Sequence, residues 1–121
     1  MTKEQSSKQY DLEERTLQFA RRVRAFVKKL PKTQANTEDG RQLIKASGSV
    51  GANYIEANEA LSKKDFAMRA KFCRKEAKES RYWLRLIDTG DTAELEDERN
   101  SLETEASEIT KIFGSIVTKS Q

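Results

Sequence analysis

Apolar positions recur at alternating spacings of four and three along most of this chain. Leu12, Thr16, Phe19, Val23, Phe26 and Leu30 form the first stripe, the spacing of one face of an α-helix. Pro31 ends it, because proline disfavours helical geometry at the residue before it. A second, shorter stripe is Ile44, Gly48, Gly51 and Ile55. The third runs unbroken through Phe66, Ala70, Cys73, Ala77, Ser80, Leu84 and Ile87. The fourth is Leu95, Arg99, Leu102, Ala106, Ile109, Phe113 and Ile116, with one arginine near its start. Helices are therefore expected near 11–30, 37–60, 63–89 and 93–118. No segment alternates like a strand, and no internal repeat or low-complexity tract appears. The pattern predicts an all-α fold, an antiparallel up-down-up-down four-helix bundle over residues 10–119. Residues 1–9 are polar and are expected to form a flexible tail. The breaks at Pro31, Ser62 and Gly90 argue against a single long coiled coil.

The connections carry their own signals. Asn36 or Thr37 is expected to cap the second helix, with Glu38 and Asp39 at its positive end. Ser62 stands three residues before Asp65, a capping-box spacing with Asp in place of the usual Glu or Gln. Gly90 is a plausible stop for the third helix.

The second helix poses a question. Its centre, Ser47 to Asn53, is nearly all small residues and includes two glycines. A glycine in a helix interior costs roughly 1 kcal/mol against alanine. Something must approach closely. One reading places a bulky side chain of a neighbouring helix of the same chain against Gly48 and Gly51. The other places a second subunit there. Surplus apolar positions favour the second: Leu43 and Tyr54 extend one side of the second helix, and Phe72, Trp83 and Leu86 lie beside the core stripe of the third. These five residues are the candidate contacts of a homo-oligomer.

Composition narrows the class. The 121 residues suit one domain, with 36% hydrophobic and 36% charged residues, no histidine and one proline. No apolar run approaches the roughly 20 residues of a membrane span. The first fifteen residues hold no apolar segment to act as a secretory signal. Cys73 stands alone and lies in a core stripe, as a packing thiol of a cytoplasmic protein would.

Net charge is +3, unevenly spread. Residues 60–90 carry nine Lys/Arg against four Asp/Glu, net +5; residues 91–121 carry three against eight, net −5. On the third helix Lys71, Arg74, Lys78, Arg81 and Arg85 fall within roughly 80° of one another, away from the core stripe. They are candidates for binding RNA or DNA phosphates. Arg21, Arg22, Arg24, Lys28 and Lys29 add a cluster near the end of the first helix. The competing reading is that both clusters sit at helix C-termini, where the dipole favours cations, and are neutralised by the acidic start of the fourth helix. Asn53, Glu56, Glu76 and Glu79 read as structural polar residues, the carboxylates pairing with Arg41, Arg69 or Arg81 or with backbone groups across a helix contact. With no histidine and no nucleophile or phosphate cradle beside them, no metal, no cofactor and no enzymatic activity is expected.

The segment 43–87 resembles a known family. Ser49-Val50-Gly51-Ala52-Asn53-Tyr54-Ile55-Glu56-Ala57, Ser62-Lys63-Lys64-Asp65-Phe66 and Glu76-Ala77-Lys78-Glu79-Ser80-Arg81-Tyr82-Trp83-Leu84 look like the signature of four-helix-bundle proteins often encoded in intervening sequences of bacterial 23S ribosomal RNA genes. The motifs cover a little over a third of the chain; the first and fourth helices match in general character. The resemblance implies a closed left-handed bundle, frequently a ring-shaped oligomer and commonly a pentamer, without established enzymatic activity. It also implies nucleic acid as a suggested partner. A related group serves as basic pentameric accessory proteins to reverse transcriptases, so a protein partner without direct nucleic-acid binding is the alternative.

Overall fold

The computed structural model describes residues 3–120, with side chains from Leu12 onward. Four helices account for nearly all of it: α1 (Lys3–Lys28), α2 (Gln34–Asn58), α3 (Lys63–Leu86) and α4 (Ala93–Lys119). No strand occurs among the described residues. α1 starts well ahead of the expected residue 11. The tail expected over 1–9 falls partly on residues 1 and 2, outside the described residues, and otherwise on residues described by backbone alone.

Contacts fix the direction of each helix. Thr16 faces Gly51 while Val27 faces Gly40, so α1 and α2 run antiparallel. Asn53 meets Arg69 and Asn36 meets Asp88, so α2 and α3 do too. Arg81 pairs with Glu103 and Arg74 lies against Gly114. Arg15 reaches Glu105 and Lys29 reaches Glu98, closing the square between α1 and α4. Each helix packs on two neighbours, and among the described residues the diagonal pairs make no close backbone approach.

The core lies where three of the four stripes put it. Phe19, Phe26, Leu84, Leu102, Ile109 and Phe113 are fully buried. Each such side chain contributes roughly 1.5–3 kcal/mol on leaving water. Tyr54 reaches across the diagonal to Phe113, ring centroids 5.6 Å apart and edge to face. The buried hydroxyls facing the core are satisfied locally, while Arg99 Nε of the fourth stripe is buried without a partner among the described residues. Thr16 donates to the Glu13 carbonyl, Ser47 to Ile44 and Ser80 to Glu76. A buried hydroxyl thereby avoids the cost of an unmade hydrogen bond.

α2 is rotated from the expected register. Its buried face is Leu43, Ser47, Val50 and Tyr54, with Ala46 and Ala57, whereas Ile55 is half exposed. The two stripes have the same 4-3-4 spacing and differ by one residue, about 100° on the helix. Leu43, Val50 and Tyr54 bury far more apolar surface than a face containing two glycines, so they take the core. The glycine face is left to meet α1. A Cβ on Gly51 would stand 3.0 Å from Thr16 Oγ1, and one on Gly48 would stand 3.3 Å from the Arg24 guanidinium. The close neighbour is thus α1 of the same chain, through Thr16 and Arg24, not an aromatic side chain.

The caps also shift. Thr33, not Asn36 or Thr37, caps α2, accepting from the Asn36 amide at 3.1 Å. With the helix starting three residues early, Glu38 and Asp39 fall beyond its first turn, which holds no acidic residue. Asn36 is freed for another role. Its side-chain amide donates to the Pro31 and Asp88 carbonyls at 3.0 and 2.8 Å, and its oxygen accepts from the Asp88 amide at 3.0 Å. One buried asparagine therefore ties two connections together. Ser62 caps α3 as expected, accepting from the Asp65 amide. α3 ends at Leu86, before Gly90, which adopts a left-handed φ of +68° in the following connection. Arg99, the arginine in the fourth stripe, donates to the Ile87 carbonyl and grips Glu96 with its other amino group.

Candidate functional site

The outer face of α3 gathers most of the candidate chemistry. Lys71, Arg74, Lys75, Lys78 and Tyr82 follow one another at helical spacing and line a shallow depression of about 700 Å³, bordered by Trp83 and Glu79. Lys71, Lys75 and Lys78 are exposed; Arg74 is half-buried, its stem lying against Gly114 of α4. Tyr82 is 56% exposed. Its ring stands edge to face on Trp83, centroids 5.1 Å apart. Trp83 is half-buried and packs on the core. Lys75 and the supported Tyr82 ring were not among the expected binding residues. The signal was present: Lys75 is four residues after Lys71, and Tyr82 four after Lys78.

Charge compensation is sparse in both basic clusters, and the firmest ion pairs lie outside the α3 row. On α1, Arg15 makes two hydrogen bonds to Glu105, at 2.7 and 2.8 Å, and one to Glu108 at 2.9 Å. Lys29 meets Glu98 at 2.5 Å, and Arg22 donates to Ser101. The Arg15 hydrogen bond holds the Glu105 carboxyl below its ordinary range, and hydrogen bonds from Thr89 and Arg99 do the same for Glu96. On α3, among the described residues, only Arg81 finds an acid within 4 Å, Glu103 at 3.9 Å. Among the described residues Lys71, Arg74, Lys75, Lys78 and Arg85 have no carboxylate within 4 Å. Glu98 near the start of α4 thus meets Lys29, and Glu105 and Glu108 further along it meet Arg15, while Arg21, Arg22, Arg24 and Lys28, like most of the α3 row, have no carboxylate within 4 Å among the described residues.

The four structural polar residues divide. Asn53 accepts from Arg69 at 3.2 Å and donates to the Ser49 carbonyl. Glu56, Glu76 and Glu79 form no pair with Arg41, Arg69 or Arg81, because Arg69 is taken by Asn53 and Arg81 faces α4. Partial burial, reinforced by the charge of Glu79, raises the Glu76 pKa. Cys73 is fully buried, and that burial pushes its thiol up to about 12, so at neutral pH it is a packing group. Among the described residues no three potential ligands cluster to hold a metal ion.

The oligomer candidates divide. Leu43 and Tyr54 are core residues of the single chain, 0% and 8% exposed, and offer nothing to a partner; the rotation of α2 explains both. Phe72 and Leu86 remain on the surface, at 39% and 47% exposure, joined by Met68 on the same helix. Trp83 is half-buried. A second apolar region, outside the expected set, is a groove of about 600 Å³ between α1 and α2, with Leu17, Ala20, Gly51 and Ile55 in its lining. No helix among the described residues is long and apolar enough to cross a membrane.

These features define a class: a four-helix bundle with one helix face of unpaired cations and exposed apolar patches beside it. The chain belongs to the family of 23S rRNA-intervening sequence proteins, whose family model matches residues 8–115. A crystal structure of a protein of unknown function from the S23 ribosomal protein family, from Bacteroides thetaiotaomicron, is 31% identical in sequence. It superposes with a TM-score of 0.75 over 88% of this chain and 97% of that one. No curated protein matches the chain.

Proposed function

We propose that this chain is a non-enzymatic, self-associating protein of the cytoplasm that binds RNA or DNA phosphates through the outer face of α3. One observation carries the reading: Lys71, Arg74, Lys75, Lys78 and Arg85 have no carboxylate within 4 Å among the described residues. Unpaired cations on one helix face attract a polyanion, and their binding releases its counterions. Self-association rests on the exposed Met68, Phe72 and Leu86 of α3 and on Leu17 and Ile55 of the α1/α2 groove; the family resemblance favours a pentameric ring. Several copies of a weak site on one assembly raise its affinity without new contacts.

Light scattering should give a mass well above 13.9 kDa, and binding should weaken linearly in log–log form with salt. Lys71→Glu with Lys78→Glu tests the face with little effect on packing, since both side chains are exposed. Reversing Arg74 also disturbs its stem against Gly114. The double variant should lower both affinity and salt slope. Unchanged binding would remove α3 as the site. The α1/α2 groove supports a second reading, a protein-interaction module accessory to a nucleic-acid enzyme. Absence of any nucleic-acid binding at low salt would favour it.

A further inference from the structure

We infer that the α3 face takes single-stranded nucleic acid, with a base stacked on Tyr82 and the phosphates beside it on Lys71, Lys75 and Lys78. This rests on the phosphate-binding reading above and adds to it which form of polyanion is bound and how. The three lysines and Tyr82 occupy one stripe of α3, recurring about one turn apart over some 16 Å of helix. A flexible polyanion laid along that stripe meets one cation per turn and then an aromatic ring.

Tyr82 is suited to that end of the stripe. A surface tyrosine commonly lies down on its neighbours, but this ring stays 56% exposed. It is held by the edge-to-face contact with Trp83, which is itself packed on the core. A ring already fixed loses little conformational freedom when a base covers it. Bases in a duplex are stacked on one another and offer no free face, so the ring can act only on an unpaired strand. The depression holds four cations, Lys71, Arg74, Lys75 and Lys78, against one carboxylate, Glu79. An acidic peptide would satisfy the cations equally but supplies no flat partner for the ring.

Trp83 is the chain's one tryptophan, so its emission reports on the site directly. Full-length protein is titrated with a short oligothymidylate, with a duplex of the same length and with polyglutamate, following Trp83 emission and retention at several salt concentrations. The expected result is tighter binding of the single strand, with a change in Trp83 emission that the duplex does not produce. Tyr82→Ala should weaken the single-strand complex about tenfold, within the range a stacked base contributes, while leaving the salt slope and duplex binding unchanged. Tyr82→Phe should bind as the parent does. Lys71→Glu with Lys78→Glu should reduce the slope for both nucleic acids. Equal binding of single strand and duplex, indifferent to Tyr82→Ala but sensitive to the lysine reversals, would overturn the stacking inference and leave phosphate binding standing. Polyglutamate bound as tightly as oligothymidylate would overturn it in favour of an acidic protein. Loss of salt dependence throughout would sink both readings.

Discussion

Gly48 and Gly51 are three residues apart on the same helix face, yet alanine should act in opposite directions at the two. In a helix interior alanine is favoured over glycine by roughly 1 kcal/mol. At Gly51 the new methyl would sit 3.0 Å from Thr16 Oγ1 and 3.4 Å from Thr16 Cβ. Thr16 is 1% exposed and its hydroxyl is committed to the Glu13 carbonyl, so it cannot swing away. Overpacking of this kind costs typically about 1–3 kcal/mol, which meets or exceeds the helix gain. At Gly48 the methyl meets only the end of Arg24, 3.3 Å away and on a flexible, exposed side chain. There the helix term should survive nearly intact. Urea unfolding followed by circular dichroism, at matched protein concentration, should show Gly48→Ala stabilised by up to about 1 kcal/mol and Gly51→Ala neutral or destabilised by up to about 2 kcal/mol. Thr16→Ala removes the obstructing oxygen, so in that background Gly51→Ala should become stabilising, a change of sign that only direct contact produces. Equal effects at the two glycines, or additivity with Thr16→Ala, would refute the reasoning. A concentration-dependent loss in Gly48→Ala would show that a second subunit, not Arg24, occupies that face.

Asn36→Ala removes the partner of the part-buried Asp88 amide and of the Asp88 carbonyl at once, while the Pro31 carbonyl keeps the Thr33 amide; each orphaned group costs about 1–3 kcal/mol where water does not reach it, so thermal unfolding should drop by a few degrees with the helix content of the folded state unchanged. The Arg15–Glu105 contact predicts a pH effect whose sign follows from the depressed Glu105 pKa: stability from the pair is present above the ordinary carboxyl value of 4.5 and is lost as pH falls through the lower folded value. Glu105→Gln should therefore destabilise at neutral pH and converge on the parent in acid, as read by unfolding midpoints across that range.

Three helices could be read from their stripes because each stripe had one answer. In α3 and α4 the apolar residues at 4-3 spacing outweigh every alternative face, and the structure buries Ala70, Cys73, Ala77, Leu84, Leu102, Ile109 and Phe113 accordingly. α2 had two answers. Ile44–Gly48–Gly51–Ile55 and Leu43–Ser47–Val50–Tyr54 share a spacing, and only side-chain size and the proximity of α1 decide between them. That ambiguity also produced the misplaced interface residues Leu43 and Tyr54, since a face denied the core looks surplus. Thr33 was overlooked as a cap because Asn36 is the stronger capping residue by type; its side chain is instead spent across space on Asp88, 52 positions away. Such a contact leaves no local mark. On α3 the cation stripe was legible as a stripe, but not its division between Arg81, which faces an acid, and the others, which do not.

That division comes from how the bundle spends its acids. α4 and its leading connection carry eight carboxylates in residues 91–121, enough on paper to balance either basic cluster. Geometry assigns them unequally. Glu98, Glu105 and Glu108 lie on the side of α4 that faces α1, where Lys29 and Arg15 take them. Glu96 is held by Arg99 of its own helix and by Thr89. Glu103 alone turns toward α3, and at 3.9 Å it meets Arg81 loosely. The closing seam of the bundle thus takes three of the eight carboxylates, and the outer face of α3 keeps most of its positive charge although the chain as a whole is only +3. A helix face that merely needed to stay hydrated has no use for a one-sided excess, because like charges at i, i+4 repel by a few tenths of a kcal/mol per pair. Lys71 with Lys75, and Arg74 with Lys78, carry that cost, and none of the four has a carboxylate within 4 Å among the described residues to offset it. A bound polyanion would reverse it, and the reversal is measurable: the folded protein should gain stability on adding oligothymidylate at low salt, and the gain should vanish in Lys71→Glu with Lys78→Glu. A parent protein whose unfolding midpoint is indifferent to the oligonucleotide would mean that the α3 charge excess serves no ligand of this kind.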